Sequence, residues 1–146
     1  MWAAPSAQKS RMMSQIRTKG TSPELAIRSA LYAYGFRYRL HRKDLPGKPD
    51  IVLPKHKTVI FVHGCFWHHH EGCPKSKLPS TREEFWTDKI AANVERDKRN
   101  IAELKRLGWS IAVVWECSVK NQWNKSTTVE SLSLWIFSDS EWFESV

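Results

Sequence analysis

Phe61-Val62-His63-Gly64-Cys65-Phe66-Trp67-His68-His69-His70-Glu71-Gly72-Cys73 gathers two cysteines, four histidines and three large aromatic rings in thirteen residues. Soft metal ligands, proton-moving imidazoles and flat rings able to stack on bases are superposed there. The third cysteine, Cys117, closes a strongly apolar segment much later in the chain. Three thiolates and one imidazole make a closed tetrahedron, a common set for structural zinc. The spacing selects His70 as the fourth ligand, five residues after Cys65 and three before Cys73, so that one tight loop turns all three inward. His68 is then free for other work. Zinc would tie the loop to the segment carrying Cys117.

Upstream, Thr58 to His63 reads as a buried strand, and Asp50-Ile51-Val52-Leu53-Pro54 as a shorter one ended by proline. Phe36 to Leu40 alternates as a third. Before it, Thr21 or Ser22 caps a helix with Pro23 in its first turn and Gly35 as its stop. Downstream, Ser80 or Thr81 with Glu83 and Glu84 suggests a capping box for a long helix. Ile90, Val94, Ile101, Leu104 and Leu107 repeat on one face of that helix, and Gly108 ends it. Asp97 interrupts the apolar face, and Arg96 or Arg99 is the expected partner. Trp109 to Cys117 follows as a strand, and a last helix is expected from about Thr128 to Ile136. This order predicts an α/β fold, a central sheet flanked by helices, in one domain over 1–146. Residues 1–20 form a basic N-terminal arm or helix, and 118–146 a C-terminal helix and tail.

The 146 residues carry a net charge of +8. Residues 1–48 hold ten Lys/Arg and two acids, while 49–146 hold thirteen of each sign. A basic first third suits a polyanion, most often nucleic acid. Three cysteines argue against a closed disulfide framework. With no secretory leader and no apolar run of membrane length, a cytoplasmic protein is expected.

Asp50 opens its strand after a Pro-Gly turn. A carboxylate with neighbouring backbone carbonyls suits a hard cation such as Mg2+, and the imidazoles of the adjoining loop suit general acid-base work.

Five segments together resemble the very-short-patch-repair (Vsr) DNA mismatch endonucleases. They are Leu45-Pro-Gly-Lys-Pro-Asp50, Val59-Ile-Phe-Val-His-Gly-Cys-Phe-Trp-His-His-His70, Thr81-Arg-Glu-Glu-Phe-Trp86, Lys89-Ile-Ala-Ala-Asn-Val-Glu-Arg-Asp97 and Leu107-Gly-Trp-Ser-Ile-Ala-Val-Val-Trp-Glu-Cys117. The resemblance implies a restriction-endonuclease-like mixed sheet flanked by helices, with a structural zinc site. It implies a Mg2+-dependent nick in one strand of duplex DNA, 5′ to the thymine of a T:G mismatch. By position, Asp50 corresponds to a metal-binding aspartate, the Val62 carbonyl to a backbone ligand, and Glu24 to an acid reaching the metal through water. His63 and His68 correspond to catalytic histidines, His68 being the one that activates water. Cys65, His70, Cys73 and Cys117 correspond to the zinc ligands. An extra residue between His70 and Cys73 leaves His69 as the alternative. Phe66, Trp67 and Trp86 correspond to rings that enter the duplex, Met13 to a minor-groove wedge, and Lys89 and Asn93 to base contacts. Mismatch-repair proteins are implied partners, and a single nick needs only a monomer.

A T:G wobble stacks less well than a matched pair, so prying it open costs less, and ring-on-base contact offsets part of that cost. Two other functions fit some of these features. One is a zinc-stabilised DNA-binding module without catalysis. The other is a nicking endonuclease of a restriction-modification system with a different target.

Overall fold

The computed structural model describes residues 22–145. Met13 and the basic arm lie outside the described residues. Helix α1 (Ser22–Ala33) buries Ile27 and Leu31 and places Glu24 in its first turn. Gly35, at φ +97°, allows the chain to reverse so that the Phe36 N–H returns to the Leu31 carbonyl at 3.0 Å. Strands β1 (Arg39–Leu40), β2 (Ile51–Leu53) and β3 (Thr58–His63) follow, then the long helix α2 (Glu83–Arg106). Strand β4 (Ser110–Trp115), helix α3 (Gln122–Ile136) and strand β5 (Trp142–Glu144) complete the order.

The five strands form one mixed sheet in sequence order. β1 to β3 pair antiparallel, whereas β3, β4 and β5 run parallel. The alternation of β3 feeds two cores. Ile60 packs with Ile27, Leu31, Val129 and Leu132 of α1 and α3. Val59 and Phe61 pack with Leu104 of α2 on the opposite face. Helices therefore cover both faces, as expected for an α/β chain. No helix of the described residues is long and apolar enough to cross a membrane.

Several boundaries differ from expectation. No side-chain cap closes α2; Arg82 stands at its N-cap in the left-handed region (φ +54°), and the helix starts at Glu83. The strand expected over 36–40 shrinks to Arg39–Leu40, because Phe36 is drawn into the α1–α3 core. Cys117 lies in a 3-10 turn (Glu116–Val119) just past β4 rather than within a strand. Helix α3 begins at Gln122, six residues before the expected Thr128, where the Asn121 side chain accepts the Asn124 N–H at 2.8 Å. Strand β5 has no counterpart in the expected order.

Candidate active site

His63 is the last residue of β3 and pairs with Trp115, the last of β4. The loop 64–73 leaves one strand end and the Cys117 turn leaves the other. Parallel strands thus deliver both candidate centres to the same edge of the sheet, where α/β folds commonly place their sites.

The Cys/His cluster is built by a compact turn. His68 N–H donates to the Gly64 carbonyl at 3.2 Å, His70 N–H to Cys65 at 2.9 Å, and Cys73 N–H to His70 at 3.1 Å. This gathers Cys65, His70, Cys73 and Cys117 so that one ligand atom from each lies within 4.8 Å of the others. His70 Nδ1 is 3.6 Å from the Cys65 sulfur and 3.4 Å from that of Cys117. A tetrahedral metal with sulfur and nitrogen ligands requires an edge of about 3.6 Å, so the set fits a metal ion. His70, not His69, is the imidazole brought in; its ring stacks on Trp115 at 4.3 Å, while His69 is exposed in the left-handed region. Burial pushes the Cys65 thiol up to about 12. The Lys75 N–H holds Cys73 below the usual thiol range. A cation in the cluster would take the place of the protons that these thiols otherwise retain.

Beside it lies a cleft of about 480 Å³ lined by Asp50, Val62, His63, His68 and Asp97, among others. Asp50 Oδ2 accepts the Val62 N–H at 2.8 Å, which fixes the carboxylate against the backbone of β3. Burial is the main force raising Asp50 to about 6; the Val62 N–H opposes it, and neighbouring Glu24 adds to it. Glu24 is buried, 2.8 Å from His41 Nε2 and 3.3 Å from Arg28. Glu24, His41 and Asp50 bring ligand atoms within 4.8 Å of one another. His63 and His68 stack face to face, with centroids 3.8 Å apart and planes 3° from parallel. Burial, reinforced by His68 and opposed by Asp97, pushes His63 down to about 3, so its imidazole is neutral.

His68 Nδ1 lies 2.6 Å from Asp97 Oδ2. The partner expected for Asp97, an arginine, is therefore replaced by an imidazole from the loop. The polar interruption in the α2 apolar face was the visible signal, but only the packing of loop on helix reveals its target. His41 gave no sequence signal, since its meeting with Glu24 depends on the path of the chain after β1.

Neighbouring side chains of an extended loop would face opposite ways, as Phe66 and Trp67 do not. The loop is instead a turn, and their rings meet edge to face at 5.1 Å. Trp86 joins them, 5.4 Å from Phe66 and 5.8 Å from Trp67. Trp67 is 48% exposed and Phe85, beside Trp86, 44%. An exposed cluster of large rings marks an interaction surface. Asn93 of α2 donates from Nδ2 to the Trp67 carbonyl at 3.0 Å, and exposed Lys89 lies one turn earlier on the same helix face.

The model of the family described as DNA mismatch endonuclease Vsr matches residues 3–75. The Type II nicking enzyme V.XorIIP of Xanthomonas oryzae pv. oryzae is 54% identical over 110 residues, 75% of this chain and 80% of that one. The Type II nicking enzyme V.NmeAIP of Neisseria meningitidis is 47% identical, covering 80% and 82% of the two chains. The DNA mismatch endonuclease Vsr of Escherichia coli is 43% identical over 132 residues, 89% of this chain and 84% of its own. The chain thus belongs to the Vsr family of DNA-nicking mismatch endonucleases.

Proposed function

We propose that the cleft hydrolyses one phosphodiester of duplex DNA, 5′ to the thymine of a T:G mismatch, on a restriction-endonuclease-like scaffold. The observation that carries this reading is the meeting of Asp50, His63 and the His68–Asp97 pair in one cleft beside the Phe66, Trp67 and Trp86 rings. Mg2+ is the proposed cation, held by Asp50 and the Val62 carbonyl with Glu24 acting through water; when bound, it neutralises charge building on the phosphate. The Asp50–Val62 bond supports this assignment by holding a carboxylate beside the backbone of residue 62. Zn2+ is the proposed occupant of the Cys65, His70, Cys73 and Cys117 set, on the strength of its three sulfurs, one imidazole nitrogen and their spacing.

The chain's own groups have separable tasks. With Nδ1 committed to Asp97, His68 presents Nε2 as a base for the attacking water. Asp97 fixes the tautomer and stabilises the imidazolium that forms, as a carboxylate behind a catalytic histidine does. Neutral His63 donates an N–H to a phosphate oxygen without adding charge beside His68. The aromatic rings, stiffened by the metal loop and by Asn93, enter the stack where a wobble pair weakens it; Lys89 and Asn93 read neighbouring bases. Such an enzyme would act as a monomer in the cytoplasm, at the nucleoid, with mismatch-repair proteins as neighbours. The names of V.XorIIP and V.NmeAIP, nicking enzymes both, favour a second reading in which the same chemistry serves a restriction-modification system at another target.

The His68–Asp97 pair supplies the test. Asp97→Asn should slow single-turnover nicking by about 10²–10³-fold, and His68→Ala by about as much. The double variant should lose little more than either alone, because the two act as a unit. Additive losses, or an Asp97→Asn enzyme as fast as wild type, would break that unit, and a His68→Ala enzyme as fast as wild type would remove His68 as the base.

A further inference from the structure

The groups assigned so far in the cleft are carboxylates and imidazoles. Among the described residues that line it, the lysine and arginine are Lys48 and Arg96, which stand on different walls. Arg96 is exposed on α2, next to Asp97 and one turn beyond Asn93. Lys48 is exposed on the turn that leads into Asp50. Of the other described arginines, Arg28 pairs with Glu24, Arg42 with Asp44 and Arg106 with Glu103, whereas Arg37, Arg39, Arg82 and Arg99 are in none of the ion pairs and do not line the cleft. The ion pairs among the described residues include neither Lys48 nor Arg96.

Lys48 is also held in place at a cost. The turn closes through the Lys48 N–H, donated to the Leu45 carbonyl at 3.1 Å, with Gly47 at φ +77°. A Cβ at Gly47 would lie 3.0 Å from Asn100 Cβ and 3.1 Å from Phe61 Cζ, so the turn is pressed onto α2 and β3. Lys48 itself takes φ +50°, a left-handed conformation that side-chain-bearing residues seldom adopt. Backbone of this kind is retained where the surroundings require it. Here it brings a cation to the mouth of the cleft immediately before buried Pro49 and the carboxylate of Asp50.

We propose that Lys48 and Arg96 form a two-sided clamp on the phosphate to be cut, holding its non-bridging oxygens while Asp50 and His68 act on it. This rests on the nicking function above. The clamp needs no covalent step: two cations on opposite sides neutralise the phosphate and aim it, Arg96 as a planar fork and Lys48 as a point charge.

The test measures binding to a T:G duplex in Mg2+-free buffer, so that no strand is cut. One duplex carries an ordinary phosphate 5′ to the mismatched thymine, the other a neutral methylphosphonate there. Lys48→Met and Arg96→Met should each weaken binding to the ordinary duplex about 10-fold and reduce its salt slope by about 1. On the methylphosphonate duplex each should lose less than about 2-fold, because the charge that it meets is gone. Lys48→Arg should restore most of the binding. Equal losses on both duplexes, or none on the ordinary one, would overturn the clamp. Wild-type protein with Mg2+ separates the layers. If it does not nick at that phosphate, the function fails together with the clamp; if it nicks there without coupling, only the clamp fails.

Discussion

Asp50→Asn is expected to reduce nicking by on the order of 10⁴-fold while leaving T:G duplex binding within a few fold of wild type. The substitution removes the charge that would hold the cation and keeps an oxygen to accept the Val62 N–H. The same change should stabilise the metal-free fold. Folded Asp50 keeps its proton up to about pH 6, chiefly because it is buried, whereas an unfolded aspartate releases it near pH 4. Ionisation within the fold is thus unfavourable. The penalty is absent below about pH 4, grows between about pH 4 and 6, and is full above that. Allowing for partial exposure, it is on the order of 2 kcal/mol, or roughly 5 °C in melting temperature. Melting curves in Mg2+-free buffer should therefore show Asp50→Asn several degrees above wild type at pH 7.5 and level with it near pH 4. A variant that nicks normally, or melts lower at pH 7.5, would contradict the assignment of Asp50 as a strained, cation-requiring group.

Cys117→Ser is expected to remove the metal and much of the stability. In the proposed zinc site Cys117 would tie the loop 64–73 to the end of β4, and without it three neighbouring groups would be left to close a four-ligand site. Cys65 is fully buried, its thiol raised to about 12, so it is stable there as thiol or as metal-bound thiolate but not as a free anion. The domain has its own apolar core, so the loss should be smaller than in a zinc finger: about 4 kcal/mol, or roughly 10 °C in melting temperature. Nicking should fall with it, because the same turn carries Phe66, Trp67 and His68. Elemental analysis should show close to one zinc per wild-type chain and almost none per variant. A zinc-free variant with wild-type melting would show that the cluster contributes nothing to the fold.

The chemistry of this chain was more legible in its sequence than its geometry. Cys65, His70, Cys73 and Cys117 could be grouped by ligand type and spacing, because a metal constrains its ligands more tightly than packing constrains a core. Strand β3 was legible as a continuous apolar run. The start of α3 was not: Trp123 is 79% exposed and its neighbours are polar, so no apolar periodicity marks the first turns. Strand β5 is three residues long and becomes a strand only by pairing with β4. The start of α2 misled because Arg82, in the left-handed region, occupies the position that a capping side chain would need. The partner of Asp97 was hidden for a related reason. Contacts between residues far apart in the chain, such as His68 with Asp97 or Asn93 with Trp67, arise only after loop and helix have packed.

End-labelled duplexes give the most direct trial of the whole picture. Wild-type protein with Zn2+ retained and Mg2+ added should cut a T:G duplex once, in the thymine-bearing strand, immediately 5′ to that thymine. The matched duplex should remain intact over the same interval. Absence of a cut, or equal cutting of the matched duplex, would contradict a cleft built to hydrolyse DNA at a weakened base pair.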